Sequence, residues 1–255
     1  DALPIFGFIN DTLYNGEAQY SIGSTYYSKQ DYAKAMEWFR KAAVNGNADA
    51  QYNIGYMYHN GQGVAKDYTK ALEWYGKAAA NGNAAAQNNI GYMYHHGRTL
   101  NRQYQHGQGV AQNYAKALEW YEKAAVQENA DAQNNIGYMY QHGQGVARDY
   151  AKALEWYEKA EANGHVGVHN NIGILYEKGL GLEKDYIKAM EHYQKAADEG
   201  NARAQYHIGY LYEKGLGVEQ DNVQAIEWYK KSADNGLREA QKRLQKLLVD
   251  SSHAE

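Results

Sequence analysis

Residues Ala48–Ala79 read ADAQYNIGYMYHNGQGVAKDYTKALEWYGKAA. Apolar residues recur at helical spacing on both sides of Gly61-Gln62-Gly63-Val64, and the stretch is followed by Asn81-Gly82. That pattern predicts two helices joined by a tight loop. The first helix is expected from Ala48 to His59, stopping at Gly61, which can take the left-handed C′ conformation without a Cβ clash. The second is expected from Tyr68 to Ala80, with the Asp67 carboxylate as its N-cap. No segment alternates with strand period, so the fold class is all-α.

The same pattern runs along most of the chain. Its Ile-Gly pair returns at Ile22-Gly23, Ile54-Gly55, Ile90-Gly91, Ile136-Gly137, Ile172-Gly173 and Ile208-Gly209. The step is 36 residues from the second copy on, apart from one of 46 after the third, and the first step is 32 because the first copy lacks the Gly-x-Gly loop. Six copies of a two-helix unit therefore occupy 16–237. Such units cannot bury their apolar faces alone and must stack. The N-cap returns as Asp31, Asp149, Asp185 and Asp221, with Asn113 in the third copy. Residues 238–250 form a half-repeat with one apolar stripe (Ala240, Leu244, Leu247, Leu248) and are expected to cap the stack. Residues 1–15 are read as an N-terminal cap or tether, and 251–255 as a disordered tail. The third copy carries an insertion, 98–107, bringing Arg98, Arg102 and Tyr104; it is either a partner contact or a slippage duplication.

Ala-x-Ala-Gln-x-x-Ile-Gly-x-x-Tyr-x-x-Gly-x-Gly-Val, followed by Asp-Tyr-x-Lys-Ala-x-Glu-Trp-Tyr-x-Lys-Ala-Ala, resembles the Sel-one-like repeat, a relative of the tetratricopeptide repeat. The resemblance implies a right-handed α/α superhelical solenoid acting as an adaptor or scaffold. It also implies bacterial roles in the envelope, host interaction or interbacterial competition; the compartment stays open, with a periplasmic or secreted location favoured over a cytoplasmic one. An immunity protein neutralising a secreted toxin is one version of that role. Cysteine-rich members that bind β-lactams supply a rival from another class, a β-lactam-binding or metal-dependent hydrolase.

Advancing ~100° per residue sorts the first helix into two sides. Ala50, Gln51, Ile54 and Tyr58 share one, with Gly55 at its flank, and are expected to pack inward. Tyr52, Asn53, Tyr56 and His59 share the other, the concave surface of a tetratricopeptide-like stack. Across copies this predicts a partner-binding stripe of Tyr52, Asn53, Tyr56, Asn89, Tyr92, His95, Asn135, Tyr138, Asn171 and Tyr210. Tyr supplies rigid contact area, and Asn supplies a donor and an acceptor together. The alternative is that these Asn and Tyr side chains merely bond and stack with one another between repeats. Trp38, Trp74, Trp120, Trp156 and Trp228 hold one position in the second helix, replaced by His192 in the fifth of the six copies, and are expected in the core.

Other chemistry finds little footing. A net charge of −4 carries no electrostatic footprint for nucleic acid. No cysteine exists to act as thiol nucleophile, disulfide or zinc ligand. Gly-x-Gly repeats between helices with no preceding strand, so it reads as loop geometry rather than a nucleotide cradle. Neither a P-loop nor Ser-x-x-Lys is present. His165 and His169 have i, i+4 spacing but no neighbouring Glu, so no metal site and no cofactor is expected. The expected partner is a protein or peptide, without nucleic acid or membrane insertion, bound by a monomer that is not an enzyme.

Overall fold

The structure, a computed structural model, describes the backbone of 3–97 and 110–252 and the side chains of 15–97 and 110–249. Among the described residues there are thirteen helices and no strand: α1 (Leu3–Ser28), α2 (Tyr32–Val44), α3 (Ala48–Asn60), α4 (Tyr68–Ala80), α5 (Ala84–His96), α6 (Tyr114–Ala125), α7 (Ala130–His142), α8 (Tyr150–Ala162), α9 (Val168–Lys178), α10 (Tyr186–Asp198), α11 (Ala202–Lys214), α12 (Asn222–Asp234) and α13 (Arg238–Ser252). They pack as successive pairs, α1 on α2, α3 on α4, and so on to α11 on α12 and α13. Two compact units result, Asp1–Ala132 and Gln133–Glu255, with the boundary inside α7. No helix among the described residues is long and apolar enough to cross a membrane.

Local chemistry sets the helix ends. Asp67 accepts a hydrogen bond from the Lys70 amide at 3.0 Å, and Asp31, Asn113, Asp149, Asp185 and Asp221 cap their helices in the same way. Asn47, Asn83 and Asn201 do the same for the first helices. Gly61 closes α3 in the left-handed region at φ 74°. Gly63, two residues on, also has positive φ, and a Cβ there would lie 2.6 Å from Cβ of Tyr32 at the start of α2. Gly-x-Gly is thus the place where a loop crosses the preceding repeat, not a ligand cradle.

The core follows the repeat. In α3 the buried side is Ala50, Gln51, Ile54, Gly55, Met57 and Tyr58; in α4 it is Ala71, Tyr75, Ala78 and Ala79. A Cβ on Gly55 would stand 2.7 Å from Cδ1 of Tyr75, so the glycine lets a whole ring lie against the helix backbone. Gly costs the helix roughly 1 kcal/mol, whereas burying such a ring contributes about 2 kcal/mol. Gly91–Tyr121 in the first unit, and Gly137–Tyr157, Gly173–Tyr193 and Gly209–Tyr229 in the second, repeat the arrangement.

Here the expectation for tryptophan needs correcting. The fully buried ring is the aromatic residue that follows each Trp, Phe39 after Trp38 and a tyrosine after the other four, while the Trp itself is only half-buried. A lysine ammonium sits over each of these rings, 4.1–4.3 Å from the centroid (Lys41 on Trp38, Lys77 on Trp74, Lys123 on Trp120, Lys159 on Trp156, Lys231 on Trp228). The indole face is a cation–π platform at the core's edge.

At the N-terminus, α1 runs unbroken from Leu3, through the segment expected as a cap or tether. At the other end α13 extends to Ser252, so Ser251 and Ser252 are helical rather than part of a disordered tail. Residues 253–255 and the insertion with Arg98, Arg102 and Tyr104 lie outside the described residues.

Candidate functional site

In the first unit the predicted stripe forms a shallow recess. Tyr56, His59 and Asn60 of α3, Tyr75 of α4, and Asn88, Asn89 and Tyr92 of α5 enclose about 180 Å³ open to solvent. Tyr56 is 37% exposed, and Tyr52 and Tyr92 are half-buried on either side. The rings touch within each helix: Tyr52 lies 6.2 Å from Tyr56, and Tyr92 lies 4.2 Å from His96. At the recess floor, burial pushes the Tyr75 hydroxyl well above the usual tyrosine range, and the neighbouring Tyr52 adds to this, while hydrogen bonding with Asn89 works in the opposite direction. The floor is therefore a neutral phenol at any physiological pH.

The Asn side chains of the stripe bond to groups of the neighbouring repeat. Asn53 donates to the Tyr20 hydroxyl at 3.5 Å, and Asn89 hydrogen-bonds with Tyr52. In the second unit Asn171 donates to Asn134 at 3.4 Å. Each of these three Asn residues reaches back one repeat, and the bonds of Asn53 and Asn171 are long, near the limit of useful geometry. A peptide carbonyl or amide presented along the stripe competes for these amides at little cost. Tyr138 of the second unit is 39% exposed, its ring 4.1 Å from that of His142. Asn135 is half-buried on the same helix, and Tyr210 is half-buried against the cluster of Ala225, Tyr229 and Leu247.

His95 departs from the expectation. It is buried, with its ring 5.2 Å from Tyr114 and 6.3 Å from Tyr121 of the following helix, and its Nδ1 lies 3.2 Å from His96 Nε2. The physical reason is its place on the side of α5 that faces α6, where the imidazole packs against the rings of Tyr114 and Tyr121. At the same position in the second unit the side chain accepts a hydrogen bond from the buried tyrosine. Tyr157 donates to Gln141 at 2.6 Å, Tyr193 to Glu177 at 2.6 Å and Tyr229 to Glu213 at 2.9 Å.

Those acids are embedded in networks. Burial raises the Glu177 carboxyl, yet hydrogen bonds from His207, at 3.0 Å, and from Tyr193 outweigh it and hold the group below the usual range. Burial likewise raises Glu213, but bonds from Arg243, Lys214 and Tyr229 bring it down to about 2. Arg243 belongs to α13, so this carboxylate fastens the last helix to the repeat before it.

A further polar cluster gathers in the second unit, at positions that form no local motif. Glu161 of α8, His169 of α9 and His192 of α10 place their ligand atoms within 4.8 Å of one another. His165, the i−4 neighbour of His169, is not among them.

The profile of the Sel1 repeat matches residues 16–47, 48–83, 84–103, 104–128, 130–165, 168–201 and 202–237. The two shorter matches together span α5 and α6. Among solved structures, the chain is similar to c5321, a protective antigen of uropathogenic Escherichia coli strains displaying an SLR fold. That likeness has 38% identity and a TM-score of 0.79, over 92% of this chain and 49% of that one. A Sel1 repeat protein from Oxalobacter formigenes is similar with 35% identity and a TM-score of 0.79, over 89% of this chain and 86% of that one. One curated relative, the ERAD-associated E3 ubiquitin-protein ligase component HRD3 of Candida glabrata, is 42% identical over 53 residues. Those residues are 21% of this chain and 6% of that protein.

Proposed function

This chain belongs to the Sel1 repeat family, whose members are generally protein–protein interaction scaffolds, and from that premise we propose that it binds an extended segment of a partner protein along its Tyr/Asn stripe. The observation that carries this reading is the recess between α3 and α5, walled by Tyr56 and Tyr92 and edged by Asn88 and Asn89. Rigid phenols offer contact area at low entropic cost, and the amides, each a donor and an acceptor, offer hydrogen bonds to a peptide backbone. A side chain of the partner fills the recess while its main chain runs across the Asn positions. Asn135, Tyr138, Asn171 and Tyr210 act likewise in the second unit. The role is that of a bacterial adaptor without catalytic residues of its own.

The stripe is poor in cations, so the ligand's free carboxylate is not the feature it reads; Lys214, for one, is held 2.8 Å from Glu213. Panning a random-peptide display library against the full chain tests the reading. Selected peptides are expected to lose at least about tenfold in affinity on Tyr56→Ala combined with Tyr92→Ala, with the helical circular-dichroism spectrum and melting temperature unchanged. Peptides that bind the double variant as well as the parent would refute the assignment.

A further inference from the structure

The repeat supplies its own reference for every position, and three departures from it coincide in space. Glu161 stands where the other second helices carry Ala43, Ala79, Ala125, Ala197 and Ala233. His169 replaces the residue that is Gln19, Gln51, Gln87, Gln133, Gln205 and Gln241 elsewhere. His192 replaces the tryptophan found in every other copy. None of these three substitutions adds to the core. Alanine at the first position is buried and tight, as with Ala43, Ala79, Ala125 and Ala197. Glutamine at the second bonds the backbone of the helix before it, as Gln51 does to the Ala43 carbonyl at 3.2 Å. Three positions on three successive helices each carry a metal-ligating residue where the other copies carry a structural one.

Their geometry is that of a ligand set. His169 Nδ1 and His192 Nδ1 face each other at 3.3 Å, and Glu161 Oε1 lies 3.6 Å from His169 Nδ1. In a tetrahedral zinc site with bonds of about 2.0–2.1 Å, neighbouring donor atoms stand roughly 3.3 Å apart. Two imidazole Nδ1 atoms at that distance either share one proton or turn both lone pairs on a cation. The second arrangement also gives the Glu161 carboxylate a counter-charge. Today's nearest cation is Lys195, 3.3 Å from Glu161 Oε1, with a side chain that is 55% exposed and free to swing outward. Elsewhere the matching lysine lies over a Trp face; with His192 in place of Trp that platform is gone.

We propose that Glu161, His169 and His192 form a binding site for one divalent transition ion of the zinc class, with the fourth position left to solvent or to a ligand group from a partner. Two imidazoles and one carboxylate suit zinc and its late first-row neighbours rather than calcium or magnesium, which take oxygen donors. The ion ties α8 to α9 and α10, and so clamps one repeat to the next.

Cobalt(II) is the probe, because its visible absorption reports the number and geometry of its ligands. Titrated into the full chain, it is expected to give the bands of a four-coordinate ion that saturate at one equivalent and are bleached by zinc. Glu161→Ala, His169→Gln and His192→Trp each install the residue the other copies carry, so each retains the helical fold. Each is expected to weaken cobalt and zinc binding by more than about 100-fold, beyond the loss usual for a residue that only supports a ligand. His142→Asn, a change on another repeat, leaves binding intact. Absence of stoichiometric binding by the parent overturns the site, as does undiminished binding by His192→Trp or loss in His142→Asn. Peptide affinity at the Tyr56/Tyr92 recess is a separate measurement, so this proposal and the functional one fail independently.

Discussion

In the first unit the buried phenols of Tyr75 and Tyr121 lie against imidazoles, the rings of His59 and His95 each 6.3 Å away. In the second the equivalent phenols of Tyr157, Tyr193 and Tyr229 donate short hydrogen bonds to Gln141, Glu177 and Glu213. The ring, the glycine beneath it and the helix pair are the same in both. Only the residue facing the hydroxyl differs, and with it the electrostatics. A buried carboxylate must be matched by donors, so the second unit recruits His207 and Arg243 as further partners, whereas histidine demands less. A repeat frame therefore fixes packing once and leaves the polar position above each ring free to vary.

The largest test of that contrast is Glu213→Ala. It strips Arg243 of its carboxylate and Tyr229 of its acceptor, and leaves a fully buried phenol and a half-buried guanidinium. Breaking such a pair costs about 3 kcal/mol. The loss should appear as a lower unfolding midpoint in denaturant and as faster amide exchange in α13. Glu219→Ala, an exposed carboxylate nearby in sequence, serves as the control and should change neither.

Acid should separate the two units next. Glu213 falls from the ordinary carboxylate value to about 2, and Glu177 is lowered in the same direction. A depressed folded pKa means that the unfolded chain binds more protons on acidification. These acids therefore contribute stability fully above the ordinary carboxylate range, and lose it as pH falls toward their folded values. Burial also lowers His142, His169 and His192, all in the second unit, below the usual histidine range. Their contribution is complete above that range and fades beneath it. Exchange protection in α9 to α13 is thus expected to decay in two stages between neutral pH and about pH 3. Among the described residues the first unit carries one lowered carboxylate, the exposed cap Asp31, and α3 to α5 should hold their protection further into acid. Equal decay in both would contradict the contrast.

Much of this was open to reading beforehand, and the rest failed for definite reasons. Ile-Gly spacing and the Asp and Asn residues that cap the second helices are local features, and each stands where the pattern placed it. Trp74 and Tyr75 are neighbours ~100° apart on one helix, and only the direction from which α3 approaches decides which ring goes inside. His95 shared the stripe by helical angle, yet it lies on the side turned toward α6. The cluster of Glu161, His169 and His192 draws on three helices, so no single window displays it. Comparing each residue with its counterparts in the other copies was the signal that would have found it.

The smallest expected effect is the sharpest test of the comparison. Tyr193→Phe removes one hydroxyl that donates 2.6 Å to an ionised Glu177, and hydrogen bonds to charged groups contribute about 1.5–3 kcal/mol. Tyr121→Phe removes the equivalent hydroxyl, which has no hydrogen-bond partner among the described residues. Taking away an unsatisfied buried oxygen relieves desolvation rather than breaking a bond, so the change should lie within about 0.5 kcal/mol of zero or be slightly stabilising. Both substitutions keep the ring, its burial and the glycine contact. Urea melts of the two variants therefore isolate the facing residue from the packing. Equal losses would mean that the phenol's own burial governs both sites. A clear loss for Tyr193→Phe alone would place the difference in the acid, and exchanging His95 for Glu should then convert Tyr121 from a tolerant site into a sensitive one.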